Sequence, residues 1–143
     1  MKIESNSAEE TFALGKQCGQ KAAVGQVYCL YGDLGVGKTV FTQGFAAGLG
    51  IKGPVSSPTF TILQVYDEGR LPFYHFDVYR ISDPEEMYEI GFEEYIEGEG
   101  VCFIGWADLI GERLPAQYTE IHIDKDLSKG FDYRLITVEE VQR

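Results

Sequence analysis

Positively charged residues are scarce in this sequence. It contains 12 lysines and arginines against 23 aspartates and glutamates, which gives a formal net charge of −11. Nucleic-acid backbones are bound by surfaces lined with Lys and Arg, and no basic cluster occurs along the chain. The composition therefore argues against tight autonomous binding of nucleic acid. It does not exclude ATP at a phosphate loop, because surface charges are screened beyond about 8 Å at physiological salt, and it is compatible with partners that have basic surfaces.

Cysteines and long apolar runs are also scarce. Cys18, Cys29 and Cys102 are scattered, and none belongs to a CxxC pair. This pattern indicates buried free thiols in a reducing compartment, without a metal role. No apolar run approaches the roughly 20 residues that span a bilayer, and the first residues lack the apolar core of a signal peptide. We therefore expect a single cytoplasmic domain over residues 1–143, with no membrane association.

The most informative stretch is a glycine-rich loop at residues 32–39, which matches the phosphate-binding pattern G-x-x-x-x-G-K-T. An apolar run precedes the loop and helical spacing follows it, as a P-loop requires. Glycines allow successive N–H groups to converge on a phosphate, and the positive end of the helix adds to the attraction. Lys38 would reach the β- and γ-phosphates, and Thr39 would bind Mg²⁺. The predicted ATP contacts are Asp33, Leu34, Gly35, Val36, Gly37, Lys38 and Thr39.

The first helix is predicted from a capping box. Ser7 at the N-cap and Glu10 three residues later favour a helix that runs to about Ala23, after a short edge strand at residues 2–5. Its predicted buried residues are Phe12, Leu14, Cys18 and Ala22.

The middle of the chain predicts a mixed sheet. Strand-like residues 61–66 and 71–77 are joined by a short turn, so they should form an antiparallel hairpin. A purely alternating βαβα arrangement would contain no such hairpin. A short helix should follow, capped by Asp83 and stopped by Gly91, with a further helical turn after it. Residues 101–104 predict another strand, and residues 119–123 and 134–138 predict a second antiparallel pair.

One predicted strand ends in an acid. Residues 73–77 are largely apolar and terminate at Asp77, the Walker B pattern in which the carboxylate helps to hold Mg²⁺. Strands often end at Asp, and it is the pairing with the P-loop that favours a metal role. Lys38 and Asp77 are thus the predicted catalytic residues, and Thr39 and Asp77 the predicted metal ligands. We interpret His75 as a strand residue and place His122 on a solvent face.

Several separated motifs together resemble the TsaE (YjeE) family, the small ATPases of bacterial tRNA threonylcarbamoyladenosine synthesis. They are the loop at residues 32–39, Ser-Pro-Thr-Phe at 57–60, His-Phe-Asp-Val-Tyr-Arg at 75–80, Asp-Pro-Glu-Glu at 83–86 with Gly91, and Trp106 with Leu-Pro at 114–115. The P-loop is common to many NTPases. The combination of Ser-Pro-Thr with Phe-Asp-x-Tyr-Arg is far more specific, and the motifs cover most of the chain in order.

The resemblance implies a P-loop NTPase-like three-layer α/β fold and a cytoplasmic, Mg-dependent ATPase. Its implied partners are TsaD and TsaB, which transfer a threonylcarbamoyl group to adenosine 37 of tRNAs that read codons beginning with A. The chain would then contact tRNA only through that complex. The implied switch segment comprises Ser57, Pro58 and Thr59. Asp77 and Arg80 would be essential for activity, and Trp106 would lie near the nucleotide.

One position departs from the family pattern. The family has Glu immediately before the Trp, as a ligand or organiser of Mg²⁺, whereas this sequence has Gly105. Loss of a carboxylate near the metal should weaken Mg²⁺ binding and slow turnover. Asp108 is the nearest acid that could replace it. A nucleotide-dependent binding module with little hydrolysis therefore stays open. A small-molecule kinase is disfavoured, because no two arginines after the loop lie close enough in sequence to form a lid.

Overall fold

The fold is given by a computed structural model that describes residues 1–32, 37–53, 55, 63–78, 83 and 85–142. Its strands are β1 Lys2–Ser5, β2 Val27–Tyr31, β3 Leu63–Tyr66, β4 Phe73–Asp77, β5 Val101–Gly105, β6 Gln117–Lys125 and β7 Arg134–Gln142. Its helices are α1 Ala8–Lys21, α2 Lys38–Gly48, α3 Glu86–Glu89 and α4 Phe92–Ile96, with 3-10 helical segments at Ala107–Arg113 and Leu127–Lys129. No helix in these ranges is both long and apolar enough to cross a membrane.

The seven strands form one sheet in the order β1-β7-β6-β2-β5-β4-β3. Strands β6, β2, β5 and β4 are parallel neighbours. The β3–β4, β6–β7 and β1–β7 pairs are antiparallel. The predicted mixed sheet, the hairpin and the edge strand are therefore confirmed. The carboxyl ends of the four parallel strands meet at one edge of the sheet, which is where ligands bind in folds of this kind.

Apolar side chains cover both faces of the sheet and create three layers. On one face, α2 and its C-cap pack through Phe41, Phe45 and Leu49 against β-strand residues such as Phe103 and Ile121. Helix α1 adds the partly buried Leu14 and Cys18. The other face is covered by shorter elements, namely α3, α4 and the 107–113 segment. Their buried residues are Met87, Phe92, Ala107 and Ile110. The longer helices thus build a thick layer behind the loop at residues 32–39, and the other layer is made of short turns.

Glycines bring α1 and α2 into backbone contact. A Cβ placed on Gly19 would lie 2.1 Å from the carbonyl oxygen of Phe45, and one on Gly44 would lie 2.2 Å from that of Phe12. Gly15 and Gly48 show equally short distances to the facing backbone. Small residues spaced four apart on both helices permit this approach. The helix that follows the predicted P-loop is therefore seated directly on its neighbour, with no side-chain layer between them.

This contact corrects one prediction for α1. The N-cap half of the capping box is present, since Ser7 Oγ accepts a hydrogen bond from Glu10 N at 3.1 Å, and the helix ends at Lys21. The Glu10 side chain accepts from Asn6 N at 2.6 Å, one residue before the N-cap. Ala22 is buried, and Leu14 and Cys18 are partly buried against the core. The predicted burial of Phe12 is wrong, because its side chain is 36% exposed. Thr11 and the two glycines occupy the inner stripe of the helix instead.

The cap of the short middle helix is also corrected. Helix α3 begins at Glu86, later than the Asp83 cap predicted. Asp83 Oδ1 accepts a hydrogen bond from Glu85 N at 3.0 Å, so the side chain stabilises the turn that leads into the helix. Gly91 has φ 77° and separates α3 from α4, as expected for a helix stop.

Arg70 ties the β3–β4 hairpin to the layer of long helices. Its Nη2 lies 2.7–2.9 Å from the carbonyl oxygens of Gly19, Gln20 and Ala22 at the end of α1. Its backbone N–H donates to Leu49 O at 2.8 Å, at the end of α2. The last carbonyls of a helix are the ones least satisfied within it, and a cation at a helix C-terminus also favours the dipole. The strand that ends at Asp77 is thereby fixed relative to α1 and α2.

Candidate functional site

Helix α2 begins directly at the predicted phosphate loop. Gly37 is its N-cap and has φ 102° and ψ 22°, a left-handed conformation that favours glycine. Phe41 N donates to Gly37 O at 3.1 Å, which starts the helical ladder. Gly37 makes no side-chain cap hydrogen bond, and the first N–H groups of a helix are the ones that bind anions in proteins. An 11-residue helix with such a terminus fits an anionic group.

A cleft of about 330 Å³ opens beside this terminus. It lies where β2 and β5 end, at the carboxyl edge of the parallel strands. The described residues that line it are Leu30, Tyr31, Gly32, Lys38, Trp106, Asp108 and Asp124. The structure therefore brings together the predicted residues Lys38 and Trp106, and it places Asp108 in the same cleft.

Lys38 and Trp106 are in direct contact. The ammonium Nζ lies 3.8 Å from the centroid of the Trp106 ring, within the range of a cation–π interaction. Trp106 has φ 64° and ψ 35° and is the one non-glycine residue with positive φ in the described part of the chain. Such backbone strain is concentrated at functional sites. The backbone conformation of Trp106 therefore indicates a functional residue.

Asp77 and Gly105 are neighbours across β4 and β5. Asp77 pairs with Gly105, and Gly105 in turn pairs with Leu30 of β2. With strands about 4.8 Å apart, the Cα atoms of Asp77 and Leu30 lie about 10 Å from each other. A Cβ on Gly105 would point to the same face as Phe103, and the one described atom it would meet within 4 Å is Phe76 O, at 3.8 Å. As far as the described residues go, position 105 has room for a side chain beside Asp77.

A magnesium ion at this place would need oxygens from its nucleotide. Within the described ranges, no three His, Cys, Asp or Glu side chains cluster in a way that could hold a metal ion. Mg²⁺ is commonly held by one or two protein groups together with substrate phosphates and water. Thr39 and Asp77 stay the predicted protein donors, and neither is among the described residues that line the cleft.

Two lining residues, Tyr31 and Asp124, were missed from the sequence. The Tyr31 ring stacks on His122 with centroids 4.7 Å apart, and His122 Nε2 lies 3.1 Å from Glu120 Oε2. Burial, together with the nearby Cys29 and Glu120, raises the pKa of Tyr31, so its phenol gives up a proton less readily than a free tyrosine does. Tyr31 and Asp124 lie at the ends of β2 and β6, and this position could have identified them as cleft residues. Recognising it requires knowing that β2 and β6 are neighbours in the sheet.

Other predicted site residues lie outside the described residues. These are Asp33, Leu34, Gly35, Val36, Ser57, Pro58, Thr59 and Arg80. Their roles stay predictions.

The two histidines agree with their predicted placement. His75 is buried and stacks at 5.7 Å on Phe73, as a packed strand residue does. The His122 side chain is 39% exposed, whereas Ile121 and Ile123 on the opposite face are buried.

The fold and the cleft together define a class. A mixed seven-stranded sheet is flanked by helices, a lysine begins the helix after β2, and a cleft opens at the strand ends. These features are those of an α/β protein with a P-loop-like fold.

The chain belongs to the TsaE family. Residues 5–134 match the family model described as threonylcarbamoyl adenosine biosynthesis protein TsaE. The tRNA threonylcarbamoyladenosine biosynthesis protein TsaE of Bacillus subtilis (strain 168) is 48% identical over 137 residues, which cover 96% of this chain and 84% of that protein. The protein of the same name from Treponema pallidum (strain Nichols) is 44% identical over 119 residues, covering 83% and 87%.

A solved structure agrees with the sequence relatives. The crystal structure of Bacillus subtilis YdiB superposes with a TM-score of 0.81 at 40% identity and covers 100% of this chain and 86% of its own. The predicted fold class and family resemblance are confirmed.

Proposed function

We propose that this chain is the ATP-binding and ATP-hydrolysing subunit that supports threonylcarbamoyladenosine formation at position 37 of tRNAs reading codons that begin with A. It would act in the cytoplasm as a nucleotide-driven switch on a TsaD–TsaB complex. The observation that carries the proposal is Lys38, which begins α2 and lines a cleft at the strand ends. Membership of the TsaE family supports the tRNA modification role.

The residues present suit phosphate binding. The uncapped N-terminus of α2 attracts the phosphates through its N–H groups and dipole. Lys38 adds a point charge, and the hydroxyl of Thr39 and the carboxylate of Asp77 would hold Mg²⁺. Bound Mg-ATP would supply the phosphoryl group that is transferred to water. Trp106 and Tyr31 close the cleft with aromatic surface.

The site is suited to slow turnover in the isolated chain. Position 105 carries no carboxylate beside Asp77, and two acids, Asp108 and Asp124, share the cleft with Lys38. With one carboxylate fewer to hold Mg²⁺, the ion that neutralises the charge developing on the γ-phosphate would be bound less tightly. We propose that TsaD–TsaB completes the site through the predicted switch residues Ser57, Pro58 and Thr59, together with Arg80.

The surface charge supports a partner-dependent role. Residues 83–99, which include α3 and α4, carry many acids and no lysine or arginine. Such a surface repels nucleic-acid backbones and attracts basic protein surfaces. The tRNA would therefore be contacted through the partners.

A second candidate is a binding module with little hydrolysis, which the glycine at position 105 favours. The two candidates are separated by calorimetry and phosphate release on the same sample. Both predict Mg-dependent ATP binding that Lys38→Ala abolishes. The switch ATPase also predicts phosphate release that rises when TsaD–TsaB is added. Binding without phosphate release, even with partners and excess Mg²⁺, would establish the module, and rapid hydrolysis that ignores the partners would refute the switch.

A further inference from the structure

The contact between Lys38 and Trp106 occupies the group that is proposed to bind phosphate. The Lys38 ammonium lies 3.8 Å from the ring centroid, with both residues lining the cleft. Trp is the aromatic residue that attracts a cation most strongly. An ammonium in this position has to leave the ring, at least in part, before it can take a new anionic partner in a different direction.

The ring is fixed by its surroundings. Trp106 lies between β5 and the 107–113 segment, in a left-handed conformation that L side chains rarely adopt. Leu109 N donates to Trp106 O at 3.1 Å, and two residues of the segment, Ala107 and Ile110, are fully buried, while the Leu109 side chain is exposed. The segment is therefore anchored in the core, and the strained backbone at Trp106 is maintained by that packing. The lysine side chain is the more adjustable partner of the two.

We propose that Trp106 is a positioning residue that holds the Lys38 ammonium on its ring in the nucleotide-free protein. Phosphate binding then lifts Lys38 from the ring, and the lost contact lowers nucleotide affinity. This inference rests on the proposed function, because it takes Lys38 to be the phosphate-binding lysine. It adds that the affinity for phosphate is limited by a competing contact within the protein itself.

The affinity test compares wild type with Trp106→Leu and Trp106→Phe. Leu keeps a Cβ at position 106, and therefore the same backbone restraint, but it removes the ring. Phe keeps a weaker cation-binding face. In calorimetric titrations with ADP and with pyrophosphate, Trp106→Leu should bind about three- to tenfold more tightly than wild type. Trp106→Phe should fall between them. Equal affinity within twofold, or weaker binding by the Leu variant, would overturn the inference.

A spectroscopic test leaves Trp106 unchanged. The protein contains a single tryptophan, so its emission reports this ring alone. Lys38→Ala should shift the emission of the nucleotide-free protein toward that of ADP-bound wild type. The matched control is Lys129→Ala, since Lys129 Nζ lies over a different ring, Tyr133, at 5.2 Å, and its loss should leave the emission unchanged. Identical emission from Lys38→Ala and wild type would overturn the inference.

Different results would overturn the proposed function and the positioning role of Trp106. If wild type binds neither ADP nor pyrophosphate, the proposed function and the positioning role are both overturned. If wild type binds them and Lys38→Ala does not, but Trp106→Leu leaves the affinity unchanged, the nucleotide site stands and only the positioning role is lost.

Discussion

The α1–α2 contact and the cleft at the strand ends use glycine in opposite ways. At Gly19 and Gly44 a Cβ would collide with backbone 2.1–2.2 Å away. At Gly105 it would meet, among the described residues, only Phe76 O, at 3.8 Å. The first region has no spare volume between α1 and α2. In the second, the described residues leave space beside Asp77. Glycine is thus required for packing in the first region, whereas the described neighbours of Gly105 do not require it.

The largest effect is expected at the helix contact. Gly19→Ala should lower the free energy of unfolding by about 3 kcal/mol, because the facing backbone can move only if the helices separate. The control is Gly111→Ala in the 107–113 segment, where a Cβ meets no atom of the described residues within 4 Å and the change should stay within about 0.5 kcal/mol. Urea unfolding of both variants measures the difference. Equal stability of the two would show that the contact is looser than described.

The buried thiol of Cys102 in β5 should make the free energy of unfolding depend on pH in the alkaline range. Burial raises the pKa of the Cys102 thiol to about 12 from 9.0, three residues before the open position 105. Between those values the unfolded chain loses the thiol proton more readily than the folded one, so stability should fall as pH rises from 9 to 12. The slope from this group is at most about 1.4 kcal/mol per pH unit. Cys102→Ala should flatten the stability profile, and an unchanged slope would contradict the burial of the thiol.

Arg70 links the two regions, because it holds the hairpin carrying Asp77 against the ends of both helices. Arg70→Met should lower the free energy of unfolding by about 1 kcal/mol, since carbonyls at the end of α1 lose their donor. Lys125→Met, at an exposed position, is the control for loss of one positive charge. Thermal unfolding measures the stability of both variants. An equal loss of stability in the two would show that Arg70 contributes only its positive charge and not its hydrogen bonds.

The smallest effect on stability is expected at the open position. Gly105→Ala should change the free energy of unfolding by less than about 0.5 kcal/mol, because space is available and alanine restricts the unfolded chain. If Gly105→Ala lost as much free energy of unfolding as Gly19→Ala in the same urea series, position 105 would have no space for a side chain. The proposed difference between the two glycine positions would then be wrong.

Local chemistry made much of the fold predictable. The capping box at Ser7, the P-loop context and the short hairpin turn each depend on neighbouring residues, and the structure confirms the elements they predict. Phe12 was misplaced because hydropathy favours burying the aromatic residue, whereas the contact with α2 selects the smallest one. The four-residue spacing of Gly15 and Gly19, matched by Gly44 and Gly48, was the available signal.

The site was less predictable, because it combines strands that are distant in sequence. Lys38 and Trp106 were identified from separate motifs, but their contact depends on β2 and β5 being adjacent. Tyr31 and Asp124 enter the cleft only through the parallel pairing of β2 with β6. Motifs therefore indicate which residues carry chemistry, and strand order decides which of them meet.

Phosphate release with and without TsaD–TsaB tests the central claim most directly, in wild type, Lys38→Ala and Gly105→Glu. The account predicts that Mg-dependent release rises when the partners are added, that Lys38→Ala abolishes it, and that Gly105→Glu raises it by placing a carboxylate beside Asp77. A rate that ignores the partners and is the same in all three proteins would contradict the account.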